Sequence, residues 1–310
     1  MWVSGYVGVS AVVTALVGLP ARPWILVWAL GALALASWRS GNAAGRACFE
    51  WLPVLVILAA YDLVRLDAPS LLPRAHVEPQ LGFDTFVGFG TIPSVRLQHA
   101  LFDARRPGIF DYACLAVYVS HFVAAIGVGL VVWFRARARF TRYAWTFLTC
   151  SLAGFATYVI YPAVPPWMAS TRGLVPHLYR VPDVLWNHLG IDLLAKVFSG
   201  DPRYSNPVGA IPSEHAAYPL LFLLLFWGVA GPRGRVVLVG YVAAMAFVLV
   251  YFGEHYVFDE LMGFVYATVA FVVVGKVLAA RAARRAATTE PVADATMPDP
   301  PGDPASVGRA

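Results

Sequence analysis

Two imidazoles and one carboxylate pose the first chemical question. His215 stands in "IPSEHAAYP" (211–219), and His255 follows forty residues later in "YFGEHYVFDE" (251–260), with Asp259 four residues beyond it. Neutral imidazole is both a nucleophile and a proton carrier near neutral pH. A carboxylate that accepts the Nδ1 proton fixes the tautomer and leaves Nε2 free to attack. If a helix runs through 255–259, positions i and i+4 share a face and Asp259 reaches His255. A second imidazole opposite the first protonates a leaving alkoxide, then takes the proton of an incoming hydroxyl. Attack on phosphorus by such a group gives a phosphohistidine. The expected roles are His255 as nucleophile, Asp259 as its orienting acid and His215 as general acid and base. Ser213 is a good helix N-cap, and the unpaired N–H groups of that helix start suit a phosphate oxygen.

These residues need elements that carry them to one place. The chain is 59% hydrophobic and 13% charged over 310 residues, too apolar to cover itself with polar surface. The class implied is an all-α, polytopic membrane bundle. Eight apolar runs qualify as spans, at 3–19, 24–38, 49–64, 112–134, 143–162, 214–230, 236–254 and 259–280. The sixth and seventh form a hairpin, so two crossings return His255 to the level of His215. "RARARFTR" (135–142), "GPRGR" (231–235) and "RAARR" (281–285) are basic and acid-free, which assigns them and both termini to the cytoplasm. The intervening loops at 65–111 and 163–210 are near neutral and face outward, and with them the histidines. Their Pro-rich punctuation leaves room only for short pieces, such as "FDTFVGFG" and "SVRLQHALF". Residues 1–48 read as a transmembrane hairpin retained in the protein, 49–280 as a six-helix core and 281–310 as a disordered tail.

Each feature also has a plain structural reading. A lone His-x3-Asp is a weak signal, and a Ser at a helix start is usually only a cap. Glu214 and Glu254 read as favourable acids near helix ends with no assigned role. His121, in the middle of a run, reads as a packing residue. The joint arrangement, Pro-Ser-x-His and His-x3-Asp at outer helix ends two crossings apart, is what points to a site. Cys48, Cys114 and Cys150 are scattered and suggest neither a disulfide framework nor a metal site.

"PSEH" resembles the Pro-Ser-Gly-His motif of the type-2 phosphatidic acid phosphatase superfamily, and "HYVFD" resembles its final His-x3-Asp. "YPAVPPW" (161–167) and His255-Tyr256 with Asp259 are similar to its phosphotransferase branch, which includes inositol phosphorylceramide and sphingomyelin synthases. The resemblance covers roughly 50–280. It implies a six-helix catalytic core, the same three residues in the roles given above, a phospholipid or lipid-linked phosphate as substrate and no cofactor. Two departures stand out. The phosphatases carry a Lys-x6-Arg-Pro motif, absent here, and a Ser-Arg pair six and seven residues before the nucleophile, where this chain has Val248 and Leu249. Another arginine must hold the phosphate, with Arg65 in "YDLVRLD" first, then Arg203, Arg172 and Arg96. Glu214 also replaces a glycine or another small or apolar residue of the motif.

The function anticipated is membrane-embedded lipid phosphotransfer, or hydrolysis with water as acceptor, at the outer face of a bacterial plasma membrane. No nucleic-acid partner and no metal are expected; the oligomeric state is left open. A transporter or flippase-like bundle would need polar groups through the depth of several helices, whereas here they gather at one level. An intramembrane serine protease would need a glycine-flanked serine. The orientation is open to test: a cysteine placed near Pro165 should react with an impermeant label from outside intact cells. Reaction only after permeabilisation would overturn both the orientation and the outward-facing site.

Overall fold

The computed structural model of the protein describes residues 43–191 and 206–289. Ten α-helices make up the described part: α1 (Ala43–Leu71), α2 (Gln80–Val87), α3 (Pro93–Leu101), α4 (Ile109–Arg135), α5 (Arg137–Ile160), α6 (Pro166–Thr171), α7 (Val181–Leu189), α8 (Glu214–Phe226), α9 (Pro232–Tyr251) and α10 (Val257–Thr289). The all-α expectation holds. The first two apolar runs, Arg203 and most of the tail lie outside the described residues.

Helix starts follow the sequence. Pro232 opens α9 behind Gly231, where its missing N–H costs nothing. The Asp111 side chain accepts from Gly108 N at 2.7 Å at the start of α4, and Ser213 Oγ accepts from Ala216 N at 3.2 Å at the start of α8. Boundaries differ from expectation in several places, and α1, at Ala43–Leu71, extends beyond the expected 49–64 at both ends. α4 and α5 are joined at Ala136 alone, so most of "RARARFTR" is helical. There Arg137 pairs with Glu50 at 2.8 Å. α10 continues to Thr289, because the Ala- and Arg-rich start of the tail has high helix propensity. α8 has 13 residues, about 20 Å at 1.5 Å per residue, shorter than the 214–230 span expected. α4, α5, α9 and α10 are each long and apolar enough to cross a bilayer. With apolar side chains such as Val123, Val131, Phe134, Val237 and Val269 exposed on their outer faces, this is an integral membrane protein.

The short α8 is the centre of the bundle, packed against α10, α9, α5 and α4, while α1 lies along α5. One core, including Trp51, Phe140, Phe147, Leu221 and Phe222, fills the end nearer the basic α4–α5 junction. A second, including Tyr118, Leu185, Met245, Leu249 and Phe252, fills the space between α4, α7 and α9. The site lies where these two cores meet.

α10 approaches the start of α8 closely at Gly263, where a Cβ would lie 2.3 Å from the Ser213 carbonyl oxygen. Gly263→Ala must therefore push α10 off the start of α8. The expected outcome is a loss of about 1–3 kcal/mol with reduced activity, read from thermal unfolding in detergent. Gly240→Ala, with nothing within 4 Å of the added carbon, should be silent. Equal melting of the two variants would refute the close packing.

Candidate active site

The turn between α9 and α10 carries His255. Gly253 has φ +70°, a left-handed conformation that side chains resist. Its added Cβ would also lie 3.3 Å from Tyr179 O and 3.4 Å from Gln98 Nε2. The residues after the turn are fixed from outside the bundle. Asp84 of α2 accepts from Val257 N at 2.9 Å and Phe258 N at 3.1 Å, closing the open N–H groups at the start of α10. Facing the turn is the segment before α8. Ala163 N donates to Val208 O at 2.9 Å and Ala210 N to Ala163 O at 3.2 Å, while His76 N donates to Pro162 O at 2.7 Å. Three distant stretches are thus stitched together beside the turn that carries His255.

The histidines meet there. His255 Nε2 lies 3.4 Å from His215 Nδ1. His255 Nδ1 lies 3.0 Å from Ala210 O and 3.6 Å from Asp259 Oδ2. A carbonyl oxygen only accepts, so Nδ1 carries the proton and Nε2 of the neutral ring holds a lone pair. Asp259 reaches His255 by a different route from the one the spacing implied. α10 begins at Val257, so His255 precedes the helix, and the buried carboxylate folds back as a cap. Its Oδ2 accepts from Tyr256 N at 2.9 Å. An imidazole with a bare Nε2, a second imidazole against it and a buried carboxylate behind can attack an electrophile and move its protons.

A cavity of about 670 Å³ opens onto these groups. Val54, Ile57, Leu58, Phe122, Val123 and Ile126 form an apolar wall from α1 and α4. Six lining residues carry a buried polar atom with no hydrogen-bond partner among the described residues: Asp62 Oδ2, His121 Nδ1, Trp167 Nε1, Asn206 Nδ2, Glu214 Oε1 and His215 Nε2.

Other residues fall differently from their sequence reading. Ser213 is fully buried and caps α8 through its hydroxyl, outside the cavity lining. Arg65 is buried in a pair with Asp62 at 3.2 Å and does not line the cavity. His121, read as packing, stacks against His215 with ring centroids 4.0 Å apart and against Tyr218 at 4.9 Å, and it lines the cavity. Glu214 accepts from Tyr218 Oη at 3.4 Å. Glu254 takes Arg180 Nε at 2.7 Å, and Arg180 Nη1 reaches Asp183 at 3.1 Å. Burial alone would pull the Arg180 pKa down, but Glu254 chiefly reverses this and holds it above its ordinary value. Sequence reasoning passed over Arg180. Its one signal was position, since a cation at the start of a helix opposes the helix dipole.

A histidine pair at one end of an apolar bundle, beside a cavity with an apolar wall and polar floor, defines a membrane-embedded enzyme of lipid chemistry. A match to the PAP2 superfamily covers residues 81–273, and the chain belongs to that superfamily. It is 26% identical over 258 residues to the phosphoinositol dihydroceramide synthase of Bacteroides thetaiotaomicron, covering 76% of this chain and 78% of that protein. It is 33% identical over 133 residues to the inositol phosphorylceramide synthase catalytic subunit aur1 of Schizosaccharomyces pombe, covering 42% of this chain and 31% of the fungal protein. No solved structure matches it. These relatives put it with the phosphotransferase branch, as a lipid phosphotransferase or phosphatase.

Asp84 gives this site a pH signature. Burial pushes its carboxyl from 3.8 up to about 6, against the two backbone N–H bonds, and the nearby Asp259 carboxylate adds to the rise. The folded chain thus binds the proton more tightly than the unfolded one. This stabilising contribution is full below pH 3.8 and lost as the pH rises to about 6. Over that window wild-type thermal stability should fall relative to Asp84→Asn, in which the titration is gone. Parallel profiles for the two proteins would overturn the assignment.

Proposed function

We propose that the protein transfers a phosphorylated polyol, of the phosphoinositol type, from a glycerophospholipid to the hydroxyl of a ceramide-like lipid through a phosphohistidine at His255. The observation that carries this is the set of six buried polar atoms, without hydrogen-bond partners among the described residues, around one cavity that also has an apolar wall. Buried donors and acceptors without partners are costly, and a polyhydroxylated head group on an acyl-chain lipid would satisfy both surfaces. The names of the two synthases point the same way.

The bond changes balance in two steps. His255 Nε2 attacks phosphorus, an N–P bond forms and the phosphoester bond to the diglyceride oxygen breaks. His215, in its protonated form, gives that oxygen its proton. The acceptor hydroxyl then yields its proton to His215 and attacks phosphorus, the N–P bond breaks and His255 returns neutral. On this reading the active site faces outward and both termini are cytoplasmic, following the placement of the basic segments.

The reading is tested with purified enzyme in mixed vesicles of phosphatidylinositol and ceramide. Inositol phosphorylceramide should appear, with acid-labile, base-stable phosphate trapped on His255. Release of inositol phosphate alone would make it a hydrolase. Among variants, His255→Ala should be inactive on every substrate. His215→Ala should be partly rescued by a nitrophenyl phosphodiester, whose leaving group needs little protonation. Asp259→Asn should lose about 10²-fold. The loss of about 10⁴-fold seen when a serine triad loses its aspartate comes from the wrong tautomer, and here Ala210 O holds the tautomer by itself. Nitrophenyl rescue of His255→Ala would exchange the two histidines' roles.

A further inference from the structure

We infer that Arg180 is the group that binds the substrate's phosphate, in place of the basic residues this chain lacks before its nucleophile. The inference rests on the proposed phosphoryl transfer and deepens it. Attack on a phosphodiester needs fixed positive charge on the non-bridging oxygens. At the positions where the superfamily phosphatases place a Ser-Arg pair, Val248 and Leu249 are packed into the core, 2% and 0% exposed. No charge can act from there. Among the described residues that line the cavity, Arg180 is the only lysine or arginine.

Its placement is tied to the nucleophile. Gln98 Nε2 donates to Tyr179 O at 2.9 Å and to Tyr251 O at 3.0 Å, and Gln98 Oε1 accepts from Tyr179 N at 2.9 Å. Val181 N reaches Phe252 O at 3.4 Å, and Trp167 N reaches Gly253 O at 3.1 Å. The residues on either side of Arg180 are thus bonded to the turn that ends in His255, directly or through Gln98. The Arg180 side chain is itself only 9% exposed. Glu254, next to the nucleophile in sequence, takes Nε at 2.7 Å and Nη2 at 3.5 Å, Asp183 takes Nη1 at 3.1 Å, and the Trp167 ring lies 5.2 Å away. Among the described residues, three of its five N–H bonds find acceptors. The second hydrogen on each terminal nitrogen is left for an acceptor, and such a pair fits two oxygens of one phosphate. The Trp of the "YPAVPPW" stretch then has a physical task, as the face on which the guanidinium rests.

The plain structural alternative is that Arg180 serves only to neutralise Glu254. Binding of inorganic phosphate or vanadate separates the two without relying on turnover. In the full-length protein either anion should protect His255 from diethyl pyrocarbonate, read by mass spectrometry. Arg180→Gln should weaken protection by about 10- to 100-fold, as expected for a lost charged hydrogen bond, and raise KM for phosphatidylinositol likewise. Arg180→Lys should fall between. The double variant Arg180→Gln with Glu254→Gln should remain as weak as Arg180→Gln. Restoration of anion protection in the double variant, or full protection in Arg180→Gln alone, would overturn the inference. If wild type is protected in an Arg180-dependent way yet turns over no phosphatidylinositol, the proposed donor fails and the phosphate site stands.

Discussion

The site depends on one hydrogen bond, from His255 Nδ1 to the carbonyl of Ala210. A carbonyl cannot donate, so this contact alone fixes which nitrogen of the ring is bare. It is also shorter than the approach of Asp259. The carboxylate is therefore not the nearest acceptor for the Nδ1 proton, and in the proposed mechanism its part is to steady the imidazolium by charge. Ala210 holds its place because its own N–H is bonded to Ala163, and Ala163 is bridged on its other side to His76. The orientation of one ring thus draws on chain segments more than a hundred residues apart.

The membrane helices supply depth and apolar wall; the short outer helices supply precision. α2 gives Asp84 to the start of α10, α3 gives Gln98 to the join between Tyr179 and Tyr251, and α6 gives Trp167 to the face of Arg180. Asp84 and Gln98 do so as buried side chains whose partners are backbone groups. Backbone partners hold position better than exposed ion pairs, which contribute little and are easily exchanged. The Pro-rich outer segment is on this account a scaffold for the site.

The cavity joins two kinds of surface that seldom meet. Val54, Ile57 and Leu58 of α1 with Phe122, Val123 and Ile126 of α4 give it an apolar wall, and elsewhere it carries acids, an amide and imidazoles, Asp62 and His121 of the same two helices among them. In the proposed reaction this division matches an amphiphile, with chains against the wall and head group at the histidines. Glu214, which stands where the phosphatase motif usually has a small residue, is one of those acids.

What the sequence determined by itself was local or periodic. Apolar runs gave the helices, caps gave their starts, and two crossings gave the shared level of His215 and His255. These follow from hydrocarbon thickness and from backbone groups that must bond within each span. The motifs also fixed the superfamily. What only the tertiary structure decided were the partners. The Ala210 carbonyl carries no side-chain signal, and Arg180 finds Glu254 across 74 positions. Asp259 acts as a returning cap because α10 starts two residues later than the spacing suggested. His121 packs against His215 and Tyr218 and also lines the cavity because α4 turns it that way. Such pairings depend on which faces meet when helices pack, and no one-dimensional pattern specifies that.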